Sequence, residues 1–143
     1  MTEQTIFAGE QIKELIPQRS PILMVDKIYN VTADEADSEL TLSEDNLFLS
    51  DKKFTEPGLI EHIAQSASAF AGFTARMEGK SAPLGYIGEI KKFNLVSLPE
   101  AGDTLCTHIR IMSVVGSVSL LTAETKVNGS TVCTTNMKIA IEE

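Results

Sequence analysis

Apolar residues recur at helical spacing in the middle of the chain and alternate with polar residues through its second half. From Pro57 onward the apolar and small side chains follow a 3.6-residue period, and both faces of the resulting helix are apolar or small. A proline suits the first turn of a helix, and Gly79 suits its end. The pattern predicts a central helix over residues 57–77, little of which can face water.

Shorter patterns flank this helix on both sides. The segments expected ahead of it are a short helix at 9–16 closed by Pro17, a strand at 22–29, a second strand within 30–41 and a connection at 47–54. Alternation after it predicts strands at 84–93, 104–115, 118–127 and 131–141, with a hairpin at Asn128-Gly129. This order predicts an α+β fold in which a curved, mostly antiparallel sheet wraps one long central helix.

The charge balance argues against two classes of partner. The chain has 143 residues, with 12 Lys and Arg against 20 Asp and Glu, which gives a formal net charge of −8. Such a surface repels nucleic acid and anionic membranes, so we expect neither as a partner. No apolar run spans a bilayer and no secretory signal is visible, so we expect a cytoplasmic location. The length suits a single domain over residues 1–143.

Cysteine and histidine are scarce. Cys106 and Cys133 lie in alternating apolar stretches without metal-ligand spacing, so both are predicted to be reduced core residues. The chain has two histidines, His62 and His108, and no potential ligands cluster around either in the sequence. We therefore expect no metal and no cofactor.

Glu61 interrupts the apolar helix with a carboxylate. It lies between Ile60 and Ile63, near the predicted helix start. Burying a carboxylate costs several kcal/mol unless a partner compensates, and such groups concentrate at functional sites. Alternatively, an acidic residue in the first turn complements the positive helix N-terminus. The pattern leaves both explanations open. Gln65 lies four residues further on the same face, where it could orient the carboxylate.

Four motifs follow one another along nearly the whole chain. Residues 15–27 are LIPQRSPILMVDK, similar to L-P-H-R-x-P-x-L-x-V-D-R, and residues 61–65 are EHIAQ, similar to E-x-x-A-Q. Residues 85–93 are GYIGEIKKF, similar to F-V-G-x-x-K-x-R-F, and a P-G-D block is matched by Pro99 and Gly102-Asp103. In this order and spacing, the chain resembles the β-hydroxyacyl-acyl-carrier-protein dehydratases, which have the hotdog fold.

The resemblance implies a particular architecture and substrate class. It implies one hotdog domain with an N-terminal arm and short helix over 1–17 and the central helix over 57–77. It also implies a homodimer or a larger oligomer of dimers, with sheets joined edge to edge and two acyl tunnels at the interface. The implied substrates are 3-hydroxyacyl thioesters of acyl carrier protein, or thioesters of coenzyme A, in fatty-acid-type biosynthesis.

The resemblance also assigns roles to individual residues. By motif position, Glu61 carries over as the catalytic residue that handles the 3-hydroxyl group or a water molecule. Gly58 at the helix start and Gly88 on the following strand carry over as backbone contributors to substrate binding. Gln65 is included among the substrate-site residues as the neighbour of Glu61.

The histidine that takes the substrate proton in this family has no counterpart. The family's G-H-F-P-G block is replaced by residues 47–55, which contain no histidine, and Gln18 replaces the histidine of the opening motif. Glutamine cannot act as a general base near neutral pH. Asp51 and Lys53 lie nearest to the lost histidine in sequence and stay open as substitutes.

Neither remaining histidine is an evident replacement. His62 follows Glu61 directly and is therefore rotated by about 100° around the helix. We expect it to be a packed histidine at a subunit interface, with catalysis across the dimer axis as the weaker alternative. His108 is expected to contact solvent or a neighbouring strand.

Three functions remain open at this point. The favoured one is a divergent dehydratase that uses Glu61 with an unconventional partner. The second is a hotdog acyl thioesterase, in which one carboxylate on this helix activates water. The third is a non-catalytic acyl-binding subunit that pairs with an active homologue.

Overall fold

One long helix packs against one face of a seven-stranded sheet in the computed structural model, which describes residues 6–80 and 84–142. The helix, α1, is Glu56–Met77. The strands of the large sheet are β1 (Phe7–Ala8), β2 (Lys27–Tyr29), β3 (Glu35–Thr41), β6 (Leu84–Leu95), β7 (Thr104–Val115), β8 (Val118–Val127) and β9 (Ser130–Glu142). A separate hairpin of β4 (Leu49–Ser50) and β5 (Lys53–Phe54) precedes α1, and a 3-10 helix (Gly9–Glu14) follows β1.

The large sheet is antiparallel throughout, in the order β1-β2-β3-β7-β8-β9-β6. Strand β6 therefore lies at one end of the sheet although it directly follows the helix. The β8–β9 turn has positive φ angles at Asn128 (51°) and Gly129 (80°), which fits the two-residue hairpin that this dipeptide predicts. The α+β layout predicted from the sequence is confirmed.

Burial of α1 explains why its sequence is so poor in charged residues. Fourteen of its residues are buried, among them Leu59, Ile63, Phe70 and the small residues between them. The helix ends before Gly79, whose φ of 72° suits a glycine. The prediction of a largely buried central helix is confirmed, with its start one residue earlier than expected.

Alternation in β7 sorts its side chains between the core and the outer face of the sheet. Leu105, Thr107 and Ile109 point inward and are buried, whereas Cys106 and His108 point outward and are exposed. The prediction of two core cysteines is therefore wrong for Cys106. It is right for Cys133, which is fully buried, and both cysteines are free.

The apolar run at 22–29 is mostly not a strand. Only Lys27–Tyr29 pairs with β3. Strand β3 itself, Glu35–Thr41, lies within the second strand predicted at 30–41 and begins five residues later than that segment. The backbone of Ile22 and Met24 is hydrogen-bonded to side chains of α1, which removes the need for a neighbouring strand. The short helix predicted at 9–16 is a 3-10 helix that ends at Glu14. Among the described residues, no helix is long and apolar enough to cross a membrane.

Candidate active site

Glu61 lies in the second turn of α1, because the helix begins at Glu56. The favourable effect of a helix dipole on an acidic side chain fades beyond the first turn. Glu56 is the acidic residue of that first turn, and it is exposed. Glu61 is partly buried instead. The electrostatic explanation that the sequence left open therefore suits Glu56 better than Glu61.

The carboxylate of Glu61 is held by a buried amide. Gln65 is 1% exposed, and its Nε2 donates to Glu61 Oε1 at 2.9 Å. The same Nε2 donates to the carbonyl of Ile22 at 2.8 Å, while Oε1 of Gln65 accepts from the amide of Met24 at 2.6 Å. These partners fix which end of the amide is the donor. Gln65 thus joins Glu61 to the segment that contains Ile22 and Met24.

Gly58 lies in the first turn of α1, in a space that admits no side chain. A Cβ there would lie 2.6 Å from Cβ of Phe48 and 2.7 Å from the ring of Phe54. Gly88 is different: it is exposed at an irregularity of β6, and a Cβ there would make only ordinary contacts with Lys138, of which the shortest is 3.5 Å to its backbone oxygen. The hydrogen-bonded pair of Glu61 and Gln65 includes neither glycine.

His62 lies inside the core of its own chain. Its side chain is completely buried, Nδ1 lies 2.7 Å from the carbonyl oxygen of Met24, and Nε2 lies 2.8 Å from the hydroxyl of Thr107. Burial lowers the pKa of His62 to about 4, although the bond to Met24 opposes the shift. The expectation of an interface histidine is therefore wrong, because β7 and the Met24 segment of the same chain surround the ring.

His108 is half exposed on the outer face of the sheet. Its Nδ1 lies 2.7 Å from Asp37 Oδ1 and its Nε2 lies 2.9 Å from Glu35 Oε1, both on β3. The expectation that His108 contacts a neighbouring strand is met by these two carboxylates. The clefts around His108 lie on this outer face, and the larger one, of about 460 Å³, is not lined by Glu61.

The remaining candidates for the missing base, Asp51 and Lys53, lie on the surface of the protein. Asp51 lies in the β4–β5 turn with a φ of 51°, Lys53 lies in β5, and both are exposed. Gln18, at the position of the opening motif's histidine, is partly buried, and its Oε1 has no hydrogen-bond partner among the described residues.

Sequence reasoning missed two parts of this arrangement. The first is the attachment of Gln65 to Ile22 and Met24, and the second is a buried hydrogen-bond chain from His62 through Thr107 to Thr125. The alternation of β7 and β8 places both threonines inward, which was an available signal. Nothing in the sequence indicated that their partner would be a histidine on the helix.

Comparison with known proteins identifies a matching family and relatives that align with nearly the whole chain. Residues 10–141 match the family described as ApeP-like, ApeP dehydratase. The 3-hydroxyacyl-[acyl-carrier-protein] dehydratase FabZ of Lactiplantibacillus plantarum is 24% identical over 147 residues, covering 96% of this chain and 95% of that protein. FabZ of Staphylococcus aureus strain JH9 is 27% identical over 146 residues, covering 98% of both.

Solved structures of similar shape support the same fold. The dehydratase heterocomplex ApeI:P from Xenorhabdus doucetiae matches with a TM-score of 0.85 at 16% identity, covering 92% of this chain and 91% of that chain. A hypothetical thioesterase with coenzyme A from Streptococcus pneumoniae TIGR4 matches with a TM-score of 0.65 at 9% identity, covering 80% and 86%. At these identities the likeness concerns the fold, and the expected hotdog fold is confirmed.

Proposed function

Because the chain belongs to the ApeP-like dehydratase family, we propose that it is a subunit of a dehydratase acting on 3-hydroxyacyl thioesters of acyl carrier protein. The observation that carries the proposal is the partly buried carboxylate of Glu61, held on one oxygen by the fully buried amide of Gln65. A carboxylate fixed in this way can serve as a general acid or base at a defined position.

Glu61 handles the leaving hydroxyl group in this proposal. Removal of water from a 3-hydroxyacyl thioester needs a base for the Cα proton and an acid for the 3-hydroxyl. It also needs donors for the charge that develops on the thioester oxygen. Gln65 occupies Oε1 of Glu61, while Oε2 has no hydrogen-bond partner among the described residues. Oε2 is thus the oxygen proposed to meet the hydroxyl group.

The base comes from a second subunit. The chain has two histidines: His62 is buried with both ring nitrogens bonded, and His108 lies on the outer face between two carboxylates. Neither is available to a substrate beside Glu61. A similar solved structure is a dehydratase heterocomplex. We therefore place the base on a homologous dehydratase chain that keeps the family's histidine.

The two chains join through β6. This strand of twelve residues ends the sheet and pairs with β9 on one side. An unpaired strand edge is a ready template for pairing with another chain. Joining two sheets there brings a second chain next to the strand that carries Gly88.

The proposal is tested with the purified chain alone and with the complex co-purified with such a homologue. Each is incubated with 3-hydroxyacyl and saturated acyl thioesters of acyl carrier protein, and products are read by mass spectrometry. The complex is expected to remove water and the chain alone is not. Glu61→Gln in the complex should lower the rate by about 10²–10⁴-fold. Glu56→Gln, which changes an exposed carboxylate in the first turn of the same helix, is the matched control.

Each alternative has its own outcome in this test. Dehydration by the chain alone would show that no second subunit is needed. An unchanged rate with Glu61→Gln would remove Glu61 from the mechanism. Release of free acid from the saturated thioester would support the thioesterase function instead. The hypothetical thioesterase from Streptococcus pneumoniae has a similar fold, which is compatible with that alternative.

A further inference from the structure

Side chains of α1 take the place of a neighbouring strand for the segment around Leu23. The carboxamide of Gln65 donates to the carbonyl of Ile22 at 2.8 Å and accepts from the amide of Met24 at 2.6 Å. In a parallel sheet, a residue bonds to two groups of the neighbouring strand: the carbonyl of the residue before the one opposite it, and the amide of the residue after it. The Gln65 carboxamide makes the same two bonds around Leu23. One side chain therefore fixes the backbone on both sides of Leu23.

His62 completes the attachment of this segment from one helical turn earlier. Its Nδ1 lies 2.7 Å from the carbonyl oxygen of Met24, whose amide is already bonded to Gln65. Residues three apart on a helix lie on neighbouring parts of its surface, so the two side chains reach the same residue. Both backbone polar groups of Met24 are thus satisfied by α1, and Met24 is 1% exposed.

The hydrogen-bond partners decide the tautomer of His62. A carbonyl oxygen can only accept, so Nδ1 carries the proton that bonds to Met24. In the neutral ring Nε2 must then accept, so the hydroxyl of Thr107, 2.8 Å away, donates to it. Because the Thr107 hydroxyl donates its proton to His62, its oxygen accepts the hydrogen bond from the hydroxyl of Thr125, 2.7 Å away. The chain of bonds runs in one direction, from β8 through β7 and the imidazole to Met24.

Every member of this chain is shielded from water. His62 and Thr125 are fully buried and Thr107 is 1% exposed. A buried donor or acceptor that loses its partner costs about 1–3 kcal/mol, so each member resists displacement. The imidazole therefore connects the centre of the sheet to the backbone that Gln65 also binds, and Gln65 binds Glu61.

We propose that His62 is a positioning residue for Glu61: its Nδ1–H holds Met24 in place, and Met24 in turn holds the Gln65 amide that orients the Glu61 carboxylate. The role in turnover rests on the proposed function, whereas the positioning of the Gln65 amide does not.

The test compares three substitutions by their effect on the Gln65 carboxamide. Hydrogen exchange of its NH₂ group is measured by NMR without substrate. His62→Leu removes both ring hydrogen bonds, and should speed exchange about tenfold or more. His62→Asn keeps an amide donor near the position of Nδ1, and should leave exchange close to wild type. Thr125→Val removes a buried hydroxyl from the same series of hydrogen bonds but leaves both bonds of His62 in place. It should lower stability and leave the exchange of Gln65 unchanged.

The outcomes separate positioning from simple stabilisation. Wild-type exchange of Gln65 in a folded His62→Leu protein would overturn the proposal, as would equal acceleration by His62→Asn and His62→Leu. If His62→Leu does not accumulate in folded form, His62→Gln, which keeps a polar group toward Thr107, is compared with His62→Asn in its place and judged by the same criterion.

A second measurement uses turnover by the two-subunit complex. His62→Leu is expected to lower kcat on the order of 10–100-fold with little change in KM, because a small displacement of a catalytic group impairs the chemical step. His62→Asn should retain most of kcat. If Glu61→Gln has no effect on turnover, the proposed function fails, and exchange at Gln65 still decides the positioning claim.

Discussion

The two histidines of the chain lie in opposite electrostatic surroundings. Burial lowers the pKa of His62 to about 4 and keeps the ring neutral. His108 is about half exposed, and although burial acts to lower its pKa, hydrogen bonds and charges from Asp37 and Glu35 outweigh it and raise the pKa above 6.5. The first ring is built into the core as a neutral hydrogen-bonding group, whereas the second is an ion-pairing group on the surface.

The two carboxylates beside His108 determine how its contribution to stability depends on pH. Because its folded pKa is raised, the stabilisation is fully present below the unfolded pKa of about 6.5 and is lost as pH rises through the folded value. His108→Gln should therefore cost more unfolding free energy near pH 6 than near pH 9, roughly the two sides of that window. Urea denaturation at both pH values measures this difference.

The double variant His108→Gln/Asp37→Asn provides the control for the same experiment. If the carboxylates cause the effect, most of the pH dependence of His108→Gln should vanish when Asp37 has already been replaced. A cost of His108→Gln that does not change between the two pH values would show that the ion pairs at 2.7 and 2.9 Å add nothing in solution.

At the scale of elements, α1 approaches the N-terminal segment too closely for a side chain at Gly72. A Cβ at this position would overlap the carbonyl oxygen of Leu15 and lie 3.0 Å from its carbonyl carbon. Gly72 and Leu15 are both buried, and the obstructing atoms belong to the backbone of Leu15, which cannot rotate away as a side chain can. The small side chains of the helix therefore serve close packing at this point, in spite of the low helix propensity of glycine.

Gly72→Ala is expected to destabilise the protein by about 1–3 kcal/mol through overpacking. Helix propensity alone predicts the opposite, a gain of about 1 kcal/mol. Thr74→Ala, at an exposed position of the same turn, is the control and should stabilise by up to about 0.7 kcal/mol. Chemical denaturation of both variants decides the sign, and stabilisation by Gly72→Ala would mean that Leu15 moves aside easily.

The elements that the sequence predicted well are those that depend on local patterns. The helix, the three strands β7, β8 and β9, and the Asn128-Gly129 turn follow from periodicity and turn chemistry within a few residues. The segment at 22–26 was mispredicted because its backbone bonds to Gln65 and His62, which lie about forty residues away along the chain. Cys106 was misplaced because alternation gives two faces of a strand without showing which one meets the core.

The same distinction applies to the candidate site. Glu61 and Gln65 are four residues apart on one helix, so their proximity could be predicted from helical geometry. Their attachment to the Met24 segment required knowledge of the tertiary structure. The burial of His62 did as well, because the threonine that bonds it lies on β7.

At the scale of the whole molecule, exposed apolar side chains gather at two places. Leu95 and Val96, 37% and 68% exposed, mark the end of β6. Met112, Val114 and Val115, between 57% and 76% exposed, mark the tip of the β7–β8 hairpin. The net charge of −8 makes copies of the chain repel one another, so association depends on such uncharged surfaces. Only the first of these surfaces adjoins the unpaired edge proposed for pairing of the sheets.

Leu95→Lys with Val96→Lys should therefore disrupt pairing of the chain with a second subunit. Charged side chains on an edge strand oppose pairing with another sheet, because their charges would have to be desolvated. Native mass spectrometry and sedimentation should show the two-chain assembly reduced to a single chain of 15.5 kDa. Val115→Lys, at the hairpin tip, is the matched control and should leave the assembly intact. If Val115→Lys separates the chains while the β6 variant does not, the interface lies at the hairpin, and β6 does not carry the second subunit to Glu61.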